Sequence, residues 1–314
     1  MKALVFRLSA LGDVIHTIPA VVALREIAEV SWVVEAAYAE LVEVVAGVSA
    51  IPVRMKRWGR SPFALRGEMS AARRAMRGFD VAIDFQGLMK SAALARLSGA
   101  PLRFGFDRDA VRERPALWFT NRHVPVDRSQ HVIDWNRQMA AAVVGATGVI
   151  PSRARDEANW DAFAGDREGK LAPLTQRIVL LPGAGKAEKR WPVSRFREIV
   201  ARFPGRTLAV WGPGERELAG AIGGEVAPPT SLRELAFLLK HAKVVVGGDT
   251  GPLHLAAAVG PRVVGIYGPT DPVRNGPYGQ IASSVSHYHS TGSVESVTAD
   301  EVILKIREVL GERL

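Results

Sequence analysis

The sequence predicts an α/β protein made of two Rossmann-like, doubly wound parallel sheets. Three observations predict it. Short β-branched apolar runs recur four times in each half of the 314 residues, helical patterns separate them, and most runs are apolar throughout instead of alternating. Strands covered by helices on both faces read this way. Strand–helix alternation then implies right-handed crossovers and an open sheet. A chain of this length suits two domains.

In order, the first-half strands are KALVFRL (2–8), VSWVVEA (30–36), VAIDFQG (81–87) and LRFGF (102–106). The stretch RLSALGDVIHTIPA (7–20) follows the first strand. Proline is poorly tolerated beyond the first helical turn. Pro19 therefore predicts a helix that starts near Thr17 or is kinked there, with Asp13 and His16 in the approach to it. Residues 152–173 are polar and lack strand character, which places a domain boundary near 170.

The second-half strands are RIVLLPG (177–183), RTLAVWG (206–212), KVVVGGD (243–249) and RVVGIYG (262–268). Helices are expected over 193–203 and 231–240, the latter opened by the capping box Ser231-x-x-Glu234. A second box, Thr298-x-x-Glu301, opens a last amphipathic helix with Val302, Ile303, Ile306, Val309 and Leu310 on one face.

Composition sets bounds. With 47% hydrophobic and 23% charged residues the chain is of ordinary globular type. It has no cysteine, so disulfides and thiolate metal sites are excluded. The N-terminus lacks the apolar core of a signal peptide. No uncharged apolar run reaches the roughly 18 residues of a membrane span. The net charge is +9, most of it in the first half. Residues 54–77 hold Arg54, Lys56, Arg57, Arg60, Arg66, Arg73, Arg74 and Arg77 against Glu68 alone. Such a run is either a solvated face or a site for an anionic partner.

In open parallel sheets ligands bind beyond the carboxyl ends of the strands. One such turn is GGDTGPLH (247–254). Pro252 suits a first helical turn, which puts Thr250 and Gly251 at the helix N-terminus, where unpaired amides form a phosphate-sized anion site. Asp249 or Thr250 could equally serve as a plain cap, and His254 as a packed histidine. The turn LLPGAGKAEKRWP (180–192) gathers Lys186, Lys189 and Arg190 around glycines. It is neither a Walker A loop, given Leu180 and Ala187, nor a dinucleotide fingerprint, given Glu188. Two anion turns in one half suggest a diphosphate. In VWGPGERE (210–217), Glu215 either complements a helix dipole or accepts from ribose hydroxyls. Asp13 is the first candidate base and His16 the second. DFQGLMKSA (84–92) ends another strand with Gln86 and Lys90. No spacing demands a metal.

SALGDVIHTIPA, DFQGLMKSA, KRWP, DTGPLHLAAAVG and YGPTDP, in this order and nearly end to end, resemble the lipopolysaccharide heptosyltransferases of glycosyltransferase family nine. Within that family, KRWGR (56–60), DFQGLMKSAA and Arg112-Glu113 look more like the heptosyltransferase I branch than heptosyltransferase II.

The resemblance implies a GT-B fold with an interdomain cleft. An acceptor domain would span 1–170 and a nucleotide-sugar donor domain 171–296, with a helix over 297–314 packing back toward the first domain. It implies inverting transfer of heptose from ADP-heptose to the Kdo of lipid A, without cofactor or obligate metal. Asp13 would be the catalytic base. Lys189, Glu215, Asp249, Thr250, Gly251 and His254 would bind the donor. Lys56, Arg57, Arg60 and Arg112 are expected at acceptor anions or an anionic membrane surface. Ala184 and Gly185 depart from relatives that carry threonines there. The expected location is cytoplasmic, peripheral on the inner face of the inner membrane, with no nucleic-acid partner. Heptosyltransferase II or another nucleotide-sugar transferase of the same fold, or a non-catalytic nucleotide-sugar-binding protein, is the competing expectation.

Overall fold

In the computed structural model, which describes residues 1–55, 62–147, 158–165, 169 and 171–312, the chain divides into Met1–Asn159 and Trp160–Leu314. The first unit runs β1 (Lys2–Phe6), α1 (Leu11–Arg25), β2 (Glu29–Glu35), β3 (Ser49–Val53), α2 (Pro62–Ala75) and β4 (Val81–Asp84). It continues through α3 (Met89–Leu97), β5 (Leu102–Phe106), β6 (Arg122–Val124) and α4 (Val132–Thr147). Its six strands are parallel, in the order β3-β2-β1-β4-β5-β6. The four apolar runs form the inner strands, and Leu4, Phe6, Val33 and Ala82 from them are buried with Leu94 of α3.

The order reverses between β1 and β4, the topological switch point at which such sheets bind ligands. There the register pairs Phe6 with Asp84, so Arg7 and Phe85 leave the sheet side by side.

Helix α1 corrects one expectation. It begins at Leu11 and contains Pro19 in its interior instead of starting near Thr17. Packing outweighs the proline. Ten of its residues are buried, and Asn136 of α4, itself buried, donates to the His16 carbonyl at 2.9 Å. Thr17 turns its hydroxyl back to the Asp13 carbonyl at 2.9 Å. Asp13 is consequently the third residue of a helix, not a member of the loop before it.

The second unit runs α5 (Trp160–Ala164), β7 (Ile178–Leu181), α6 (Val193–Arg202), β8 (Thr207–Ala209), α7 (Arg216–Ala221), β9 (Glu225–Val226) and α8 (Leu232–Lys240). Then come β10 (Val244–Gly248), α9 (Gly251–Val259), β11 (Arg262–Tyr267), α10 (Pro272–Asn275), β12 (Val285–Ser286) and α11 (Ala299–Leu310). The order β12-β11-β10-β7-β8-β9 repeats that of the first unit, with the switch point between β7 and β10. Both capping boxes form: Glu234 N–H donates to Ser231 Oγ at 3.2 Å, and Glu301 N–H to Thr298 Oγ1 at 3.3 Å.

One boundary differs from expectation. The division falls at 159/160 instead of near 170, because Phe163 and Ala164 of α5 are buried within the second unit. There the Arg233 guanidinium lies 4.6 Å from the Phe163 ring centre. Helix α11 belongs to the second unit. Val302 and Ile306 are fully buried in the core with Phe196, Val246 and Val264. At roughly 1.5–3 kcal/mol for each side chain so buried, that contact decides the helix's place. Arg206 to Glu312 at 2.6 Å secures its end.

Candidate active site

In the first unit a carboxylate is clamped at the switch point. Arg7, 2% exposed, follows β1 and donates to the Phe85 carbonyl. Another of its nitrogens, Nη2, lies 2.5 Å from Asp13 Oδ1. Arg112, from the loop after β5, donates from Nη2 to Asp13 Oδ1 at 3.1 Å and from Nη1 to Oδ2 at 3.3 Å. The Ala10 amide donates to Oδ2 at 3.3 Å. Burial pushes the Asp13 carboxyl up. The Arg7 and Arg112 charges, with the bonds from Arg112 and Ala10, outweigh it and hold the carboxyl below its usual range. The helix N-terminus favours the same anionic form.

His16, the second candidate base, is not at a ligand-facing edge. It is buried, and its ring packs edge-on to His131 at 5.3 Å between centroids.

Asp84, at the end of β4, is buried and accepts at Oδ1 from the amides of Gln86 (2.9 Å) and Gly87 (3.3 Å). Gln86 in turn accepts from the Leu8 amide at 2.8 Å, which ties the two switch-point turns together. Burial pushes the Asp84 carboxyl up to about 6 against those bonds, the Ser91 hydroxyl and the charge of Arg7. A carboxyl raised from 3.8 contributes stability that is complete below its unfolded value and lost as pH rises through about 6. Asp84→Asn keeps the acceptor and removes the charge. It should stabilise the protein at pH 8 by on the order of 2–3 kcal/mol, with the gain shrinking as pH falls through that range. Thermal melts at several pH values check this; an equal shift at every pH would refute it.

In the second unit the turns after β7 and β10 meet. Lys189 Nζ is 2.5 Å from Asp249 Oδ2, and His254 Nε2 is 3.1 Å from Asp249 Oδ1. Burial raises the Asp249 carboxyl, but the bond and charge of His254, then those of Lys189, bring it down to about 2. Asp249 therefore fixes the Lys189 ammonium and the His254 ring on its two oxygens. Thr250 is the extended N-cap of α9, its hydroxyl makes no capping bond, and Pro252 occupies the first turn. The Thr250 hydroxyl is buried without a hydrogen-bond partner, so capping is not what Asp249 and Thr250 do here. The amides at Gly251 and beyond remain for an anion.

Glycine in this turn has a steric reason. A Cβ on Gly248 would sit 2.9 Å from the Lys189 carbonyl oxygen, so the lysine-bearing loop crosses bare backbone. Lys186 instead pairs with exposed Glu188 at 3.4 Å, and Arg190 Nε braces the loop through the Ala184 carbonyl at 3.1 Å.

Glu215 accepts from the Gly212 amide at 3.0 Å. Its carboxylate lies over Gly183, where a Cβ would come within 2.1 Å of Oε2. Gly183→Ala should displace this flexible carboxylate and leave the sheet intact. If Glu215 meets a ribose, as the sequence resemblance implies, ADP affinity should fall about tenfold, the worth of one charged hydrogen bond, with little change in melting temperature. Calorimetry with ADP measures it; unchanged affinity would take Glu215 out of the nucleotide site.

Arg112 thus meets Asp13 directly, while Lys56, Arg57 and Arg60 lie outside the described residues. Three features were missed. Arg7 and Asp84 each carry a charge at the end of an apolar strand, a signal available in FRL and AIDF. The turn Gly268-Pro269-Thr270 lines a small cleft with Lys189 and Asp249, and only its place in YGPTDP marked it. Among the described residues no group of three or more His, Cys, Asp or Glu is placed to hold a metal ion, and no helix is long and apolar enough to cross a membrane.

A doubly wound sheet with a helix N-terminus and an oriented lysine at its switch point has the chemistry that a nucleotide diphosphate requires. Paired in one chain with a second such sheet bearing an ionised carboxylate, it defines a group-transfer enzyme of the nucleotide-sugar class. The chain belongs to glycosyltransferase family 9 (heptosyltransferase), whose family profile matches residues 69–302, and it is a glycosyltransferase. It is 36% identical to lipopolysaccharide heptosyltransferase 1 of Pseudomonas aeruginosa over 89% of this chain and 82% of that protein. Against the Escherichia coli K12 protein of the same name the identity is 32%, over 89% and 92%. Its structure is similar to that of E. coli heptosyltransferase WaaC with ADP, with a TM-score of 0.83, 31% identity and coverage of 98% and 100%. For WaaC with ADP-2-deoxy-2-fluoro heptose the TM-score is 0.81 at 30% identity, covering 98% and 99%.

Proposed function

We propose that this enzyme transfers L-glycero-D-manno-heptose from ADP-heptose to the Kdo of lipid A, with inversion at the anomeric carbon. The likeness to WaaC, whose structures hold ADP and an ADP-heptose analogue, carries the reading of the donor. The second unit takes the nucleotide. Lys189 and the α9 amides at Thr250 and Gly251 meet the diphosphate, Glu215 the ribose, and His254 stands beside Asp249.

The reaction is a single displacement. A Kdo hydroxyl attacks the anomeric carbon, the bond to the diphosphate oxygen breaks, and ADP leaves from the opposite face. Asp13 takes the hydroxyl proton, a role worth about 10²–10⁴-fold. Charge developing on the leaving diphosphate falls on Lys189 and the helix N-terminus.

Asp13 is a weak base while both arginines hold it. Arg112, the exposed partner, is the one an acceptor anion can draw away. Lys56, Arg57 and Arg60 supply further charge for acceptor phosphates and carboxylates. On this reading the enzyme works at the cytoplasmic face of the inner membrane. The test is transfer from ADP-heptose to Kdo-lipid A, with and without EDTA. Transfer from UDP- or GDP-sugars but not ADP-heptose would overturn the donor, and loss of activity with EDTA would overturn the metal-independent mechanism.

A further inference from the structure

We infer that the exposed face of α3, with the turn beside it, is a docking surface for an anionic lipid bilayer. Trp118 is 80% exposed, Met89 49% and Leu97 44%. Met89 and Leu97 lie eight residues apart, two helical turns along one face, with half-exposed Ala93 between them. The turn Arg114–Trp118 runs alongside. At its start Glu113 accepts from the Met89 amide at 2.7 Å, and just past its end Phe119 accepts from Arg103 Nε at 2.9 Å. The turn packs against α3 and presents Trp118 to solvent beside it.

Charge decides the occupant. Lys90, Arg96 and Arg114 are exposed on α3 and the turn, against one exposed carboxylate, Glu113, whose Oε2 is held by the Met89 amide, so the surface is net positive. An interfacial tryptophan and aliphatic side chains beside a net positive rim match the headgroup region of an anionic membrane.

The location fits the chemistry. Arg112, which pairs with Asp13, precedes Glu113, which holds the first residue of α3. A bilayer on this face adjoins the carboxylate that would serve a lipid-borne acceptor. That last connection rests on the proposed function; the surface itself rests on exposure and charge.

The experiment is co-sedimentation of the full chain with vesicles of phosphatidylcholine alone or mixed with phosphatidylglycerol. Binding is expected to the mixed vesicles only. Leu97→Ser with Trp118→Ser should weaken it about tenfold, and Lys90→Gln about fivefold. Transfer to a water-soluble, deacylated Kdo acceptor should stay unchanged in these variants, while transfer to vesicle-borne acceptor falls. Equal binding to both vesicle types, or binding insensitive to the substitutions, would overturn the inference. So would a dimer in solution that the same substitutions dissociate, since this face would then join two copies of the chain. If vesicle binding behaves as stated and no acceptor is glycosylated, the proposed function fails and the docking surface stands.

Discussion

Asp13→Ala is expected to abolish detectable transfer while ADP-heptose still binds the second unit. Loss of the proton acceptor alone removes about 10²–10⁴-fold. The same change has a structural cost. Arg7 is 2% exposed and loses the carboxylate 2.5 Å away. A buried charge stripped of its partner costs about 3–5 kcal/mol. Asp13→Ala should therefore melt early as well as fail to turn over, and a single variant cannot separate the two effects. Asp13→Asn keeps the shape and an acceptor oxygen. Arg7→Met with Asp13→Ala removes both charges together. The double variant should recover much of the melting temperature, Asp13→Asn only part of it because Arg7 still lacks its counter-charge, and neither should recover activity. Initial rates, melting curves and donor calorimetry on the set are decisive. Near-normal turnover by a folded Asp13→Asn protein would remove the carboxylate from the mechanism.

Lys189→Ala should lower kcat/KM for ADP-heptose by about 10²–10³, the usual cost of losing a donor aimed at developing charge, and leave the acceptor KM unaltered. Loss of the cation is only part of the effect. Asp249 is 8% exposed and would keep His254 as its remaining partner, placing poorly compensated negative charge beside the diphosphate. An acid titration gives an independent readout. The Asp249 carboxyl, lowered from 3.8 to about 2, contributes stability that is present above the unfolded value and lost as pH falls through about 2. Lys189→Ala should bring that loss to higher pH. Unchanged donor kinetics would exclude Lys189 from the donor site, whatever the titration does.

The inner strands were legible because burial on both faces leaves an unbroken apolar run, as in VVVGG of β10 and IVLL of β7. The four strands that went unread, β3, β6, β9 and β12, are the edges of the two sheets. Each is short or partly exposed, and Pro52 sits in β3, so no buried run marks them.

The helix carrying Asp13 was misjudged because Pro19 speaks only for local propensity. The contacts of α1 with α4 and the bond from Asn136 come from residues more than a hundred positions away. Arg112 shows the same limit. Its charge was visible, but its pairing with Asp13 across 99 positions was not. Residues 247–254 were read as an anion-binding turn, but that the chain's own loop crosses Gly248 was not legible from them.

Each sheet closes its own core, and the chain passes from one to the other at 159/160. On the proposed assignment, one lobe selects the recipient and the other the activated sugar. Hybrids spliced at that joint between relatives should therefore inherit the two preferences separately. Recombination, more than stepwise substitution, is then the natural route by which such enzymes diversify.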